Sequence, residues 1–330
     1  MGNVLVTGVT GQLGYYVAAH LAHRGERVFG LVRQTTKERV SGPLPYIPIT
    51  GDLLDECSLL SVLREVQPDR LFNFGAQSYI PSSWSQPMLT AQYTGLGVVR
   101  LLEALRCAAP GCRMLQAGSS ELFSDAQASP QDESTPICPT NPYGIAKAFA
   151  YSSVVAYRRR YDLFAVNAIF YTNESPRRST EFVFRKVTHG VAAILALECS
   201  ELRLGNVDTV RDWGFAPEYA AIAAALLEQE TPEDFVVATG EGHSVGELVE
   251  RAFALVGLDS RDYVHTEPAL VRPREPAPLI GSTARLRARL NIDVEVRFDH
   301  LLRFLLAYDL RLKGLEVPFE VPRLQYPDLR

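Results

Sequence analysis

Thr7-Gly8-Val9-Thr10-Gly11-Gln12-Leu13-Gly14 is the stretch whose reading decides the fold. It follows the apolar run Asn3-Val4-Leu5-Val6 and opens residues 12–23, where apolar side chains recur at helical spacing. Glycines between a strand and a helix allow a tight turn, close approach of backbone to a phosphate, and close packing of helix on strand. The helix N-terminus then offers unpaired N–H groups to the anion. The spacing is GxxGxxG rather than GxGxxG, and a purely structural turn would look the same. Its place between strand and helix predicts dinucleotide binding.

Working outward, residues 3–6, 27–32, 46–50, 70–74 and 113–117 read as strands, and 12–23, 56–66 and 87–108 as helices. A helix at 143–161 and an apolar strand at 164–170 continue the alternation. Such alternation predicts an α/β protein with a doubly wound, Rossmann-type parallel sheet covered on both faces. Beyond residue 171 the texture changes: 175–181, 206–214 and 271–278 are charged and irregular, while 216–230 reads as a helix and 234–238 as a strand returning to the sheet. The expected division is a cofactor-binding Rossmann domain at 1–170, with about 211–240 returning to it. A smaller C-terminal α/β substrate-binding domain is expected at 171–210 and 241–330. The tail at 316–330 is expected to be extended or disordered.

Composition narrows the function. With 330 residues, 47% hydrophobic and 22% charged, the chain is an ordinary globular mixture, not a disordered one. Its net charge of −5 argues against a nucleic-acid binder. The first apolar run is too short for a signal peptide or membrane span, so no membrane association is expected. Cys57, Cys107, Cys112, Cys138 and Cys199 are odd in number and form no CxxC pair, which disfavours a disulfide framework and a zinc site. No metal and a cytoplasmic location are expected.

Individual residues carry chemistry. Arg33 ends the second strand, where an acidic residue would hold the ribose of NAD; arginine suits the 2′-phosphate of NADP, or else is a solvated surface residue. Asp52 ends the third strand, placed to meet an adenine amino group or to cap the next helix. Tyr143 and Lys147 lie four apart, on one helix face. The nearby ammonium is expected to lower the Tyr143 phenol toward neutrality for acid–base work. The fifth strand runs out into Gly118-Ser119-Ser120-Glu121-Leu122, at the sheet end where open α/β folds place catalytic groups. Ser119 and Glu121 are expected to face a cofactor, with turn capping as the competing role for Ser120 or Glu121.

Narrower signals are Gly75-Ala76-Gln77-Ser78, Ser83-Trp84-Ser85-Gln86-Pro87, Ser119-Ser120-Glu121, Asn141-Pro142-Tyr143, Glu174-Ser175-Pro176-Arg177-Arg178, Leu204-Gly205-Asn206, Arg211-Asp212-Trp213-Gly214 and Arg272-Pro273-Arg274-Glu275. With the glycine turn and the Tyr143/Lys147 pair, they make nearly the whole chain resemble the extended short-chain dehydrogenase/reductases. Within these it resembles the GDP-mannose 4,6-dehydratase family. The resemblance implies Ser119, Glu121, Tyr143 and Lys147 as catalytic hydroxyl, base, tyrosine and lysine. It implies NADP, with NAD the alternative, at Gly8, Thr10, Gly11, Gln12, Leu13, Gly14, Arg33, Asp52, Leu53, Phe74, Gly75, Ala76, Gln77, Ser78, Leu89, Tyr143, Lys147, Asn173 and Arg178. It implies a nucleotide sugar, GDP-mannose, at Ser83, Thr172, Val183, Lys186, Arg211, Arg272 and Glu275. Arginines suit a diphosphate independently, although Arg211 and Arg272 would also serve as structural ion-pair residues.

This chain departs from the family pattern at four places. Ser119 stands for threonine, Leu13 for aspartate, Thr172-Asn173 for Asn-His, and Gln34 for a second arginine. The implied reaction is loss of water from the sugar with internal hydride transfer from C4 to C6. The rival readings are a nucleotide-sugar 4-ketoreductase or epimerase on the same scaffold, and a non-catalytic NADP-binding sensor. A homodimer or homotetramer is expected, through the helices at 87–108 and 143–161.

Overall fold

The computed structural model describes residues 2–37, 43–268 and 277–324. The first half runs β1 (Asn3–Thr7), α1 (Gln12–His23), β2 (Arg27–Val32), α2 (Gln34–Lys37), β3 (Ile47–Thr50), α3 (Glu56–Val66) and β4 (Arg70–Asn73). It continues through α4 (Ile80–Ser85), α5 (Pro87–Thr90), a π-helical turn Ala91–Leu96, α6 (Gly97–Ala108), β5 (Arg113–Ala117), a 3-10 turn Ser120–Phe123, α7 (Pro142–Tyr161) and β6 (Ala165–Phe170). The remainder comprises β7 (Thr172–Glu174), α8 (Val183–Leu195), β8 (Leu202–Leu204), β9 (Val210–Arg211), β10 (Trp213–Phe215), α9 (Ala216–Leu226) and β11 (Phe235–Val237). It ends with β12 (His243–Ser244), α10 (Val245–Ala254), a 3-10 turn Ser260–Asp262, β13 (Val264–Thr266), α11 (Ala284–Leu290) and α12 (Phe298–Leu312).

Seven strands form one sheet in the order β11-β6-β5-β4-β1-β2-β3, parallel throughout. Chain order reverses at β1, which pairs with β2 on one side and β4 on the other, so the loops after β1 and β4 part and leave a crevice. Apolar runs such as Val4-Leu5-Val6 are buried on both sides because helices cover both faces. On one face, side chains of α1, α9 and α11 pack with Val4, Val6 and Phe72. On the other, α3, α6 and α7 pack with Leu5, Leu71 and Met114. A separate apolar cluster joins α8, α10 and α12 around Trp213 and Phe298, and Val317, Phe319 and Leu324 of the extended tail pack against it.

The Rossmann-type sheet and the return of residues 235–237 to it agree with the sequence reading. Two helices differ. The helix expected over 87–108 is broken by the π-helical turn, whose Tyr93 reaches Asp52. The helix expected over 216–230 stops at Leu226, and beyond it the Arg113 guanidinium takes the carbonyls of Leu227 and Gln229 at 2.9 and 2.6 Å. No helix among the described residues is long and apolar enough to cross a membrane.

Candidate functional site

The carboxyl ends of β1 through β6 open into one cleft of about 1340 Å³. A buried polar relay fixes the strand ends beneath it. The Thr7 hydroxyl donates to Asn73 and accepts from the Gly75 N–H, while Asn73 Nδ2 donates to Gln116 Oε1 at 2.6 Å. These links hold the first turn against the end of β4.

The glycine turn has the shape a diphosphate needs. Gly8 sits at φ 64°, and a Cβ there would lie 2.7 Å from Gly75 N and Phe74 C. A Cβ on Gly14 would lie 2.3 Å from the Gly8 oxygen, so only glycine lets α1 pack this close. Gly11 caps α1 with no side-chain cap, and a Cβ there would meet only the Gly8 oxygen, at 3.2 Å. The open side of Gly11 and the orphan N–H groups of the first turn form an anion cradle. The residues present therefore fit a dinucleotide. Gln12 is turned elsewhere: its Nε2 donates to the backbone and side-chain oxygens of Asn173 at 2.9 and 2.8 Å, and its Oε1 accepts from Ser175 at 2.6 Å.

Thr10, Leu13, Leu53, Phe74, Ala76, Gln77, Ser78 and Leu89 also line this cleft. Arg33 is exposed at its rim, its guanidinium 5.8 Å from the Tyr93 ring centroid. Asp52 is not the cap of α3; Asp55 is, accepting from Ser58 N. Asp52 instead accepts from Leu54 N at 2.9 Å and from the Tyr93 hydroxyl at 3.2 Å.

Ser119, Glu121, Tyr143 and Lys147 line the same cleft, all of them buried. Ser119 caps the 3-10 turn by accepting from Glu121 N at 3.3 Å. Glu121 Oε2 accepts from Asn141 Nδ2 at 2.7 Å, and Asn141 Oδ1 caps α7 by accepting from Gly144 N at 2.9 Å. One amide therefore ties the carboxylate to the helix that carries Tyr143 and Lys147.

The expected lowering of the Tyr143 phenol is not found. Burial pushes it up to about 12, the Ser119 hydrogen bond draws it down, Glu121 pushes it up, and Arg178 draws it down. Lys147 spends its ammonium on the Ala117 carbonyl at 2.6 Å and stands 5.7 Å from the Tyr143 ring centroid. Burial brings Lys147 itself down to about 8. Desolvation is the largest cause of both shifts.

At the far end of the cleft the structure gathers Thr172, Asn173, Arg178, Val183, Lys186 and Arg211. Arg211 is buried and donates to the Val210 carbonyl at 2.7 Å. Ser83 is not brought to the cleft: it is fully buried within α4 and donates to the Ile80 carbonyl at 2.7 Å. Arg272 and Glu275 lie outside the described residues. Sequence reasoning gave no role to Asn141, Tyr93 or Glu174, all of which bear on the site. Asn141 was findable, because asparagine before proline marks a capped helix start. Nothing local marks the other two.

The family described as GDP-mannose 4,6 dehydratase matches residues 5–305. The GDP-mannose 4,6 dehydratase of Cricetulus griseus is 36% identical, covering 93% of this chain and 91% of its own. The Homo sapiens protein of the same name gives the same identity and coverage, 36%, 93% and 91%. Among solved structures, dTDP-glucose 4,6-dehydratase from Bacillus anthracis in complex with NAD superposes with a TM-score of 0.82 at 19% identity. That superposition covers 95% of this chain and 98% of the other, and it shows a shared fold.

Proposed function

The chain belongs to the GDP-mannose 4,6 dehydratase family, and on that premise we propose that its cleft converts GDP-mannose to GDP-4-keto-6-deoxymannose by 4,6-dehydration. The observation that carries this reading is the convergence of Glu121 with Ser119, Tyr143 and Lys147. Simple carbonyl reduction needs a hydroxyl, a tyrosine and a lysine; a tethered carboxylate beside them adds the base that dehydration requires.

A nicotinamide dinucleotide, when bound, supplies the hydride acceptor for oxidation at the sugar C4 and the donor for reduction at C6. Gly8, Gly11, Gly14 and the α1 N-terminus would hold its pyrophosphate, and Arg33 a 2′-phosphate, which favours NADP over NAD. Tyr143 would accept the proton of the sugar 4-hydroxyl as its phenolate, so the phenol that burial holds protonated in the free protein must first release its own proton to solvent, and Ser119 hydrogen-bonds the same oxygen. Lys147 holds the floor of the site through Ala117. The 4-ketone acidifies the C5 proton, which Glu121 removes and then delivers to the departing 6-hydroxyl, releasing water. Reduction at C6 is completed by a solvent-derived proton returned to C5 through Glu121; oxidation at C4 and reduction at C6 cancel, so no external reductant is consumed.

Residues 1–170, with 211–240, are assigned to the cofactor, and 171–210 with 241–330 to the nucleotide sugar. Lys186 and Arg211, with Val183, would grip the diphosphate and nucleoside. Ile145 and Phe149 on α7, 56% and 47% exposed, suit a two-fold homo-oligomer interface, which sedimentation would measure. The decisive experiment incubates the protein with GDP-mannose and no added NADPH. Formation of the 4-keto-6-deoxy sugar supports the proposal. Turnover only with a stoichiometric reductant, or epimerised product, would replace it with the ketoreductase or epimerase reading.

A further inference from the structure

Glu174 ends β7 on the cleft wall and is only 1% exposed. Neither carboxylate oxygen has a hydrogen-bond partner among the described residues. Burial pushes the carboxyl up to about 7 even though Arg178 and Arg185 pull it down. Buried polar groups are ordinarily satisfied, so a bare carboxylate costs stability and packing does not account for it.

Two cations face it. Arg185 is committed: it donates to the carbonyls of Ser175 and Pro176 at 3.2 and 3.0 Å and to Asp309 at 2.5 Å. Arg178 is not. Its Nε lies 3.7 Å from Glu174 Oε2, an ion pair longer than a hydrogen bond that leaves the buried Nε without a hydrogen-bond partner among the described residues, and its guanidinium lies 3.4 Å from the Phe182 ring centroid. Among the described residues no hydrogen bond takes up its terminal nitrogens, and the side chain lines the cleft.

We propose that Glu174 is a positioning residue. It holds the Nε edge of Arg178 while Phe182 fixes the guanidinium plane, leaving both terminal nitrogens to grip a phosphate of the bound dinucleotide. The inference rests on the reading of Arg178 as a cofactor residue. A bidentate grip needs a fork held in one orientation, which lysine would not supply. The same placement keeps the Arg178 charge within reach of Tyr143, whose phenol it draws down.

The test is a double-mutant cycle on NADPH affinity, read by fluorescence titration of cofactor-stripped protein, with melting temperature beside it. Arg178→Gln weakens NADPH binding by about tenfold or more, the scale of a lost charged hydrogen bond. Glu174→Gln also weakens it, by about fivefold to tenfold, while the melting temperature at pH 8 holds or rises because the desolvation cost of the buried carboxylate, which outweighs its attraction to Arg178 and Arg185, is gone. The double variant binds no worse than Arg178→Gln alone, and Glu174→Asp recovers part of the loss. If Arg178→Gln binds NADPH as the wild type does, the reading of Arg178 fails. If Arg178→Gln is weak but Glu174→Gln and Glu174→Asp are unchanged, or the two losses multiply in the double variant, the positioning role is overturned. A Glu174→Gln protein that loses both stability and affinity, in proportion, would make Glu174 a structural residue.

Discussion

Asn141 performs two jobs with one side chain, and substitution can separate them. Its Nδ2 holds Glu121 at 2.7 Å, and its Oδ1 caps α7 at 2.9 Å. Among the described residues this amide is the only hydrogen-bond donor to the Glu121 carboxylate. Asn141→Ser keeps a capping oxygen and removes the donor. Serine and asparagine cap about equally, so the helix loses at most a few tenths of a kcal/mol, about a degree in melting temperature. The lost hydrogen bond involves a charged acceptor in a buried site, worth about 1.5–3 kcal/mol. Spent on orienting the base, that is roughly 10- to 100-fold in kcat. Asn141→Ala should lose the same factor in kcat and a further ~1 kcal/mol of stability, about 2–4 °C, because the cap goes too. The assays are 6-deoxy product formation at saturating GDP-mannose and thermal melting. Wild-type kcat in Asn141→Ser would refute the positioning of Glu121 by Asn141. So would a kcat loss that tracks the melting temperature from serine to alanine, since the amide would then matter only as a cap.

Tyr143→Phe should nearly abolish kcat and leave KM for the nucleotide sugar within a few-fold, since the phenol acts on the proton in transfer; unchanged kcat would remove Tyr143 from the chemistry. Glu121→Gln should make no 6-deoxy product and fail to introduce solvent deuterium at C5, whereas the wild type does both; near-normal product would restore the ketoreductase reading. Arg33→Ala should cut the preference for NADP⁺ over NAD⁺ by about one to two decades, as dissociation constants at matched ionic strength will show. Glu174 is raised from its ordinary carboxylate range to about 7, so between about pH 4.5 and 7 the folded protein holds the proton that the unfolded chain has released. Folding stability from this group therefore falls as pH rises through that window. The melting-temperature advantage of Glu174→Gln should be absent near pH 4.5 and complete above pH 7; an advantage independent of pH would exclude this cause.

Strands and helices of the sheet were legible because each carries its own period and punctuation: β1 is an apolar run stopped by glycine, and α3 spans Glu56–Val66 as its spacing predicts. What was not legible depends on distant partners. The π-helical turn inside 87–108 has the same apolar spacing as an ordinary helix, and its contacts with Asp52 and α7 are made by residues far away in sequence. Asp52 looked like a cap because it precedes a helix, yet Asp55 stands three residues closer to the N–H groups that need one. The phenol of Tyr143 was misjudged for a similar reason. Sequence spacing gives the distance to Lys147 along a helix, but both are buried where α7 meets the end of β5 and the 3-10 turn.

Residues 173–178 illustrate why the site needs the whole chain. Asn173 and Ser175 are tied to Gln12 at the start of α1, and Arg177 lies 3.6 Å from the Tyr15 ring centroid of the same helix. Arg185 of α8 binds the carbonyls of Ser175 and Pro176, and Asp309 of α12 binds Arg185. The segment therefore connects the glycine turn, where the anion cradle lies, to the helices around Trp213 and Phe298. Displacing it would move Asn173 and Arg178 together relative to Gly11, so the spacing between cradle and guanidinium is fixed by tertiary contacts on both sides. A loop free of those contacts could present the same side chains and still fail to hold a dinucleotide, because each would have to be ordered at the moment of binding. The concentration of charged and polar residues in this short stretch is then a consequence of its position. It has to satisfy two packed bodies and a ligand at once, and Glu174 is the member whose own stability is sacrificed to that arrangement.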